Sequence, residues 1–78
     1  MQDQVKIGGI YRNWKTGNLY KVIGLGKHSE TLEDLVFYEA LYDNPKSKLW
    51  ARPLALFIDE KILPDGTKKP RFKLVEEK

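Results

Sequence analysis

The sequence predicts a mainly β domain, a small barrel or roll of about five to six short strands with one short helical turn near residues 53–58. Three observations carry that expectation. Segments rich in aromatic and branched residues alternate with period two, Gly, Asn, Asp and Pro punctuate them at short intervals, and only one stretch places apolar residues at helical spacing. With 78 residues, the chain has room for a single core, because a domain of this size buries only about 60 % of the surface its unfolded chain exposes. One domain over 1–78 is expected, with ordered structure over about residues 8–75 and frayed ends at Met1–Lys6 and Glu76–Lys78.

In chain order, Ile10-Tyr11-Arg12-Asn13-Trp14 reads as a strand. Lys15-Thr16-Gly17-Asn18 follows as its hairpin turn, with Gly17 and Asn18 suited to positive φ. Leu19 to Lys27 resumes as a strand, with Leu19, Ile23 and Leu25 on one face and Tyr20 and Val22 on the other. Gly24 and Gly26 within it predict a bulge or bend, a device that curls a sheet. His28 to Asp34 is a polar connection with one helical turn capped by Ser29. Leu35 to Tyr42 carries apolar side chains on both faces, which predicts a strand flanked on both sides. Asp43-Asn44-Pro45 is a turn and Leu49 to Arg52 a short strand. Pro53 opens a helical turn in which Leu54, Phe57 and Ile58 share a face that plugs one end of the barrel. A short strand at Lys61–Leu63, a turn at Pro64-Asp65-Gly66 and a last strand at Arg71–Val75 complete the chain.

Composition excludes several chemistries. Without cysteine there is no disulfide, thiolate zinc site or cysteine nucleophile, which favours a reducing cytoplasm. The longest apolar run, Leu54 to Ile58, is far below the roughly 18 residues of a membrane span, so no membrane partner is expected. Fourteen basic against eleven acidic side chains give +3 and a pI near 9.2 without a block of like charge, which allows weak nucleic-acid binding at most. Gly24 and Gly26 lack the third glycine of a dinucleotide fingerprint, and the Walker lysine motif is absent. No cofactor and no metal are expected, since the chain has one histidine.

What remains points to binding. His28 and Glu30, two apart, share a face in extended chain, as an acid–base pair would. The competing reading is a surface contact or a hydrogen bond that orders the loop. Trp50 and Arg52 likewise share a strand face, where Arg52 can meet a carboxylate or phosphate beside an aromatic wall, or hold Glu30 or a loop carbonyl. Arg71 beside Phe72 repeats the theme. Tyr11, Trp14, Tyr20, Tyr38, Tyr42 and Trp50 are too many polar aromatics for one small core, so some should line a groove. The expected site is thus His28, Glu30, Tyr38, Trp50, Arg52 and Arg71. Its ligand would be a small molecule or peptide with an anionic or hydrogen-bonding group. Two other classes compete: a small hydrolase or transferase using His28 and Glu30, and a weak nucleic-acid binder.

Gly9, Tyr11, His28-Ser29-Glu30-Thr31, Val36, Tyr38, Leu41-Tyr42, Trp50, Arg52-Pro53-Leu54, Phe57 and Pro70-Arg71-Phe72 together form a pattern. It resembles domain of unknown function 1653, a family of small bacterial proteins, from about Gly9 to Phe72. Asn13, Trp14, Gly26, Lys27 and Leu56 depart from the family pattern, and Thr16 is inserted before Gly17. The departures touch the first hairpin more than the His28 or Arg52 segments. The resemblance implies an SH3-like barrel and no established activity.

Overall fold

A computed structural model describes residues 5–76. Strands β1 (Ile10–Asn13), β2 (Leu19–Lys27), β3 (Asp34–Ala40) and β4 (Leu49–Pro53) are followed by α1 (Leu54–Phe57), then β5 (Glu60–Ile62), β6 (Lys68–Pro70) and β7 (Phe72–Glu76). Five of them form an antiparallel sheet in the order β4-β3-β2-β1-β7, and β5 and β6 form a separate two-stranded ribbon. The fold is mainly β with one short helix, as the alternation predicts. It is an open roll, because among the described residues no pairing joins the outer strands β4 and β7. The strand β6 was not anticipated: Lys68-Lys69-Pro70 has no apolar face, and its pairing with β5 rests on the backbone alone.

Register decides which side chains meet. Tyr11 stands opposite Tyr20, Val22 opposite Tyr38, Tyr38 opposite Trp50, and Val36 opposite both Leu25 and Arg52, so these residues share the concave face. The register shift between Val22 and Gly24 is the expected bulge. It carries Leu25 onto the face of Tyr20 and Val22 and leaves Leu19 and Ile23 exposed, where strict alternation grouped all three leucine and isoleucine side chains together. Pro53 leads into α1, whose Leu54 and Phe57 are buried over this face while Ile58 stays largely outside. Phe57 stacks on Phe72 with centroids 4.3 Å apart, meets Tyr11 edge to face and packs on Tyr38 at a tilt.

The N-terminal segment from Val5 packs against the sheet more closely than its composition suggests. Val5 is 3 % exposed and belongs to the core. Lys6 donates its backbone N–H to the Tyr11 hydroxyl at 2.9 Å and accepts from the Gly9 N–H, while Gly8 donates to the Val22 carbonyl. The core therefore takes in Val5, ahead of the residues the sequence pattern assigns to it. Glu76 likewise ends β7, and residues 1–4, 77 and 78 lie outside the described residues.

Side chains shape the turns. Asn13 Oδ1 accepts from the N–H groups of Lys15 and Thr16, and Gly17 takes the left-handed region at φ 77. Asn18 does not share that conformation. Asp65 Oδ1 accepts from both the N–H and the hydroxyl of Thr67, and Gly66 has φ 89. Between β2 and β3 a single helical turn closes through the Leu32 N–H and the His28 carbonyl. Its cap is His28 and not Ser29: the imidazole Nδ1 accepts from the N–H groups of Glu30 (3.1 Å) and Thr31 (3.3 Å). Leu32 leaves that turn at φ 63 with its side chain 67 % exposed, a conformation that costs a branched residue about 1–2 kcal/mol. Replacing Leu32 by Gly removes this cost and loses no packing. After the entropy of a freer unfolded chain is subtracted, the domain should gain about 0.5–1 kcal/mol in a urea titration.

Candidate functional site

The concave sheet face is covered by α1 at one end. Beyond α1 it presents Tyr20, Trp50 and Arg52 as half-buried residues around buried Tyr38. Arg52 donates from Nε to the Tyr38 hydroxyl at 3.3 Å, and its guanidinium carbon lies 5.4 Å from the Phe72 ring centroid. It has no carboxylate partner, and its terminal nitrogens make no hydrogen bond among the described residues while keeping contact with solvent. A chain of hydroxyls continues the site: Tyr20 and Tyr42 share a hydrogen bond of 2.7 Å, and Asn44 donates its amide to Tyr42 at 2.8 Å. Four rings, Tyr20, Tyr38, Tyr42 and Phe72, pack edge to face around this chain.

Arg71, at the entry to β7, forms a fork on Asp59 with Nε–Oδ1 at 2.7 Å and Nη2–Oδ2 at 3.1 Å, and its backbone N–H donates to the Asp59 carbonyl. The fork holds the Asp59 carboxyl below the usual carboxylate range, and Arg52 adds a smaller pull in the same direction. At Tyr20, burial comes first and the hydrogen bond to Tyr42 second in pushing the phenol above its ordinary value, while Arg52 acts the other way. Arg52 is thus within electrostatic reach of both Asp59 and Tyr20.

Of the six residues singled out in the sequence, the structure brings Tyr38, Trp50 and Arg52 to one face and sets Arg71 beside them through Asp59 and Phe72. Tyr38 is 5 % exposed, so it supports the site from beneath instead of lining it. Trp50 spends its indole N–H on the Ser47 carbonyl at 3.0 Å, fixing the β3–β4 connection. His28 and Glu30 do not join the group. They lie in the exposed β2–β3 turn, where Nδ1 of His28 is occupied by two backbone N–H groups and the Glu30 carboxylate has no partner among the described residues. The expected face-sharing fails there because the chain is turned, not extended. Neither Glu30 nor a loop carbonyl holds Arg52. Among the described residues no cluster of three His, Asp or Glu side chains is placed to hold a metal ion, and no helix is long and apolar enough to cross a membrane.

Asp59, Phe72 and Asn44 complete the cluster, and sequence reasoning missed all three as site residues. Asp59 and Arg71 are separated by twelve positions and meet only because β5 and β6 fold back on each other. Tyr20 and Tyr42 were legible as surplus polar aromatics.

These features define a small antiparallel β domain with an arginine set among tyrosines on its concave face. The chain belongs to the DUF1653 family, described as proteins of unknown function, whose profile matches residues 9–74. It is similar to a crystal structure of a protein belonging to DUF1653 from Bordetella bronchiseptica, at 30 % identity and a TM-score of 0.82, covering 97 % of this chain and 95 % of that one. No curated protein matches the chain.

Proposed function

We propose that the domain is a cytoplasmic binding module in which Arg52 receives an anionic group of a small molecule or peptide, with Tyr20, Tyr42 and Asn44 supplying further hydrogen bonds. The observation that carries this reading is the half-buried guanidinium held on one side by Tyr38 and Phe72 and unpaired at its terminal nitrogens. With those nitrogens open to solvent and its other side packed on rings, the guanidinium can meet an incoming carboxylate or phosphate without first giving up a protein partner. Asp59 lies within electrostatic reach, yet it is taken by Arg71. The site is preorganised: rings fix the planar cation, leaving two parallel N–H groups for a carboxylate or phosphate.

A chemical-shift titration with acetate, inorganic phosphate and short acidic peptides tests this, with perturbations expected at Arg52, Tyr20, Tyr42 and Asn44. Arg52→Ala should weaken the best of these ligands about thirtyfold, as for loss of a central interface arginine. Its stability should fall by only about 1–2 kcal/mol, the worth of one long hydrogen bond from a charged donor and one ring contact. A loss of about 3 kcal/mol or more in stability would mark Arg52 as structural and remove the basis of the reading.

A further inference from the structure

A second concavity lies away from Arg52, between the first hairpin, the β7 edge and the ribbon. It has a volume of about 640 Å³ and is lined by Arg12, Trp14, Lys68, Lys69, Pro70 and Lys73, among others, with no acidic residue. The four cations are exposed and none is in a salt bridge among the described residues. Apart from these four, the chain's 14 basic and 11 acidic side chains nearly balance, so no wider positive field accounts for the groove's charge.

Backbone register sharpens the point. Arg12 stands directly opposite Lys73 across β1 and β7, and Lys61 directly opposite Lys69 across the ribbon. Like charges at facing positions destabilise a strand pair, and here both members of the first pair and Lys69 of the second line the groove. Asp65 lies close enough to Lys69 to feel its charge, but its carboxylate is engaged by Thr67 in the turn. An anion laid along the groove would relieve the Arg12–Lys73 pair and meet Lys69.

The remaining wall is aromatic. Trp14 is half-buried, takes part in no ring pair, and its indole N–H has no partner among the described residues. A flat ring beside unpaired cations matches a strand whose bases have free faces and whose backbone is anionic. A duplex hides those faces, and a peptide of acidic side chains offers no flat ring to stack on the indole. We propose that this groove binds single-stranded nucleic acid, with a base stacked on Trp14 and phosphates held by Lys68 and Lys69 on one side and Arg12 and Lys73 on the other. This site is separate from the Arg52 cluster.

The test is fluorescence anisotropy of the full chain with a labelled short oligothymidylate. Binding should weaken between about 50 and about 200 mM salt with a log–log slope of about −3, as expected for four cations at roughly 0.7 per phosphate. The double variant Lys68→Glu/Lys69→Glu, exposed and outside the core, should lose binding at least about tenfold with an unchanged melting curve, and Arg52→Ala should retain it. Trp14→Ala should lose at least about tenfold on the oligothymidylate and nothing on an abasic strand of equal length. No saturation at low salt, retained binding in Lys68→Glu/Lys69→Glu, or equally tight binding of duplex or of polyglutamate would overturn the proposal.

Discussion

Phe57→Ala is expected to destabilise the domain by about 3–5 kcal/mol, the range for removing a fully buried aromatic side chain. Phe57 is 1 % exposed and touches Tyr11, Tyr38 and Phe72, so it joins α1 to three strands of the sheet. The turn that carries it has no intrinsic reason to persist. It is four residues long, has no side-chain cap, and forms because Pro53 sets its entry and the ring finds the core. A domain of 78 residues has a total stability of about 4–12 kcal/mol at the usual per-residue figure, so this one truncation can exhaust it. Urea unfolding followed by tryptophan fluorescence measures the loss, and a value below about 1 kcal/mol would show that α1 is not the lid of this core.

Phe72→Ala should cost a similar amount, about 3–5 kcal/mol, and should also act at a distance from the core. The same ring stacks on Phe57, meets the edges of Tyr20 and Tyr38, and lies under the Arg52 guanidinium. The informative companion is Phe72→Leu, which keeps much of the volume and should cost less than about 1.5 kcal/mol, yet removes the face on which the cation rests. If the concave face is a binding site, Phe72→Leu should weaken anion binding more than its small effect on melting suggests. A double-mutant cycle with Phe57→Ala should show coupling, since the stacked pair is lost only once. Strict additivity would separate the two rings energetically.

The parts of this molecule that could be read from the chain are those in which one strand's pattern suffices. Val36, Tyr38 and Ala40 alternate with Leu35 and Phe37, and the sheet buries the first set. Gly24 marked the bulge, and Arg52-Pro53 marked the point where a strand gives way to the turn. Hidden from that reading were contacts made by topology. Asp59 has no sequence relation to Arg71, and β6 has no apolar face to announce it. Val5 looked like part of a polar end because a single apolar residue carries no period, although the core takes it. His28 was misread for a further reason: its spacing to Glu30 means a shared face only in extended chain, and its own ring caps a turn that abolishes that geometry.

The β5–β6 ribbon has a consequence for how the molecule moves. All six of its strand residues are exposed, and no strand of the main sheet pairs with it among the described residues. A two-stranded hairpin of this kind is marginal in water by itself. At its base the Arg71–Asp59 fork and one backbone hydrogen bond anchor it, and at its tip the Asp65–Thr67 turn closes it. Its opening free energy is therefore set by the anchor and the turn, and hardly at all by the aromatic core. The ribbon is expected to exchange its amide protons at a lower opening free energy than the curled sheet, so that the wall of the basic groove it forms yields before the wall formed by β1 and β7.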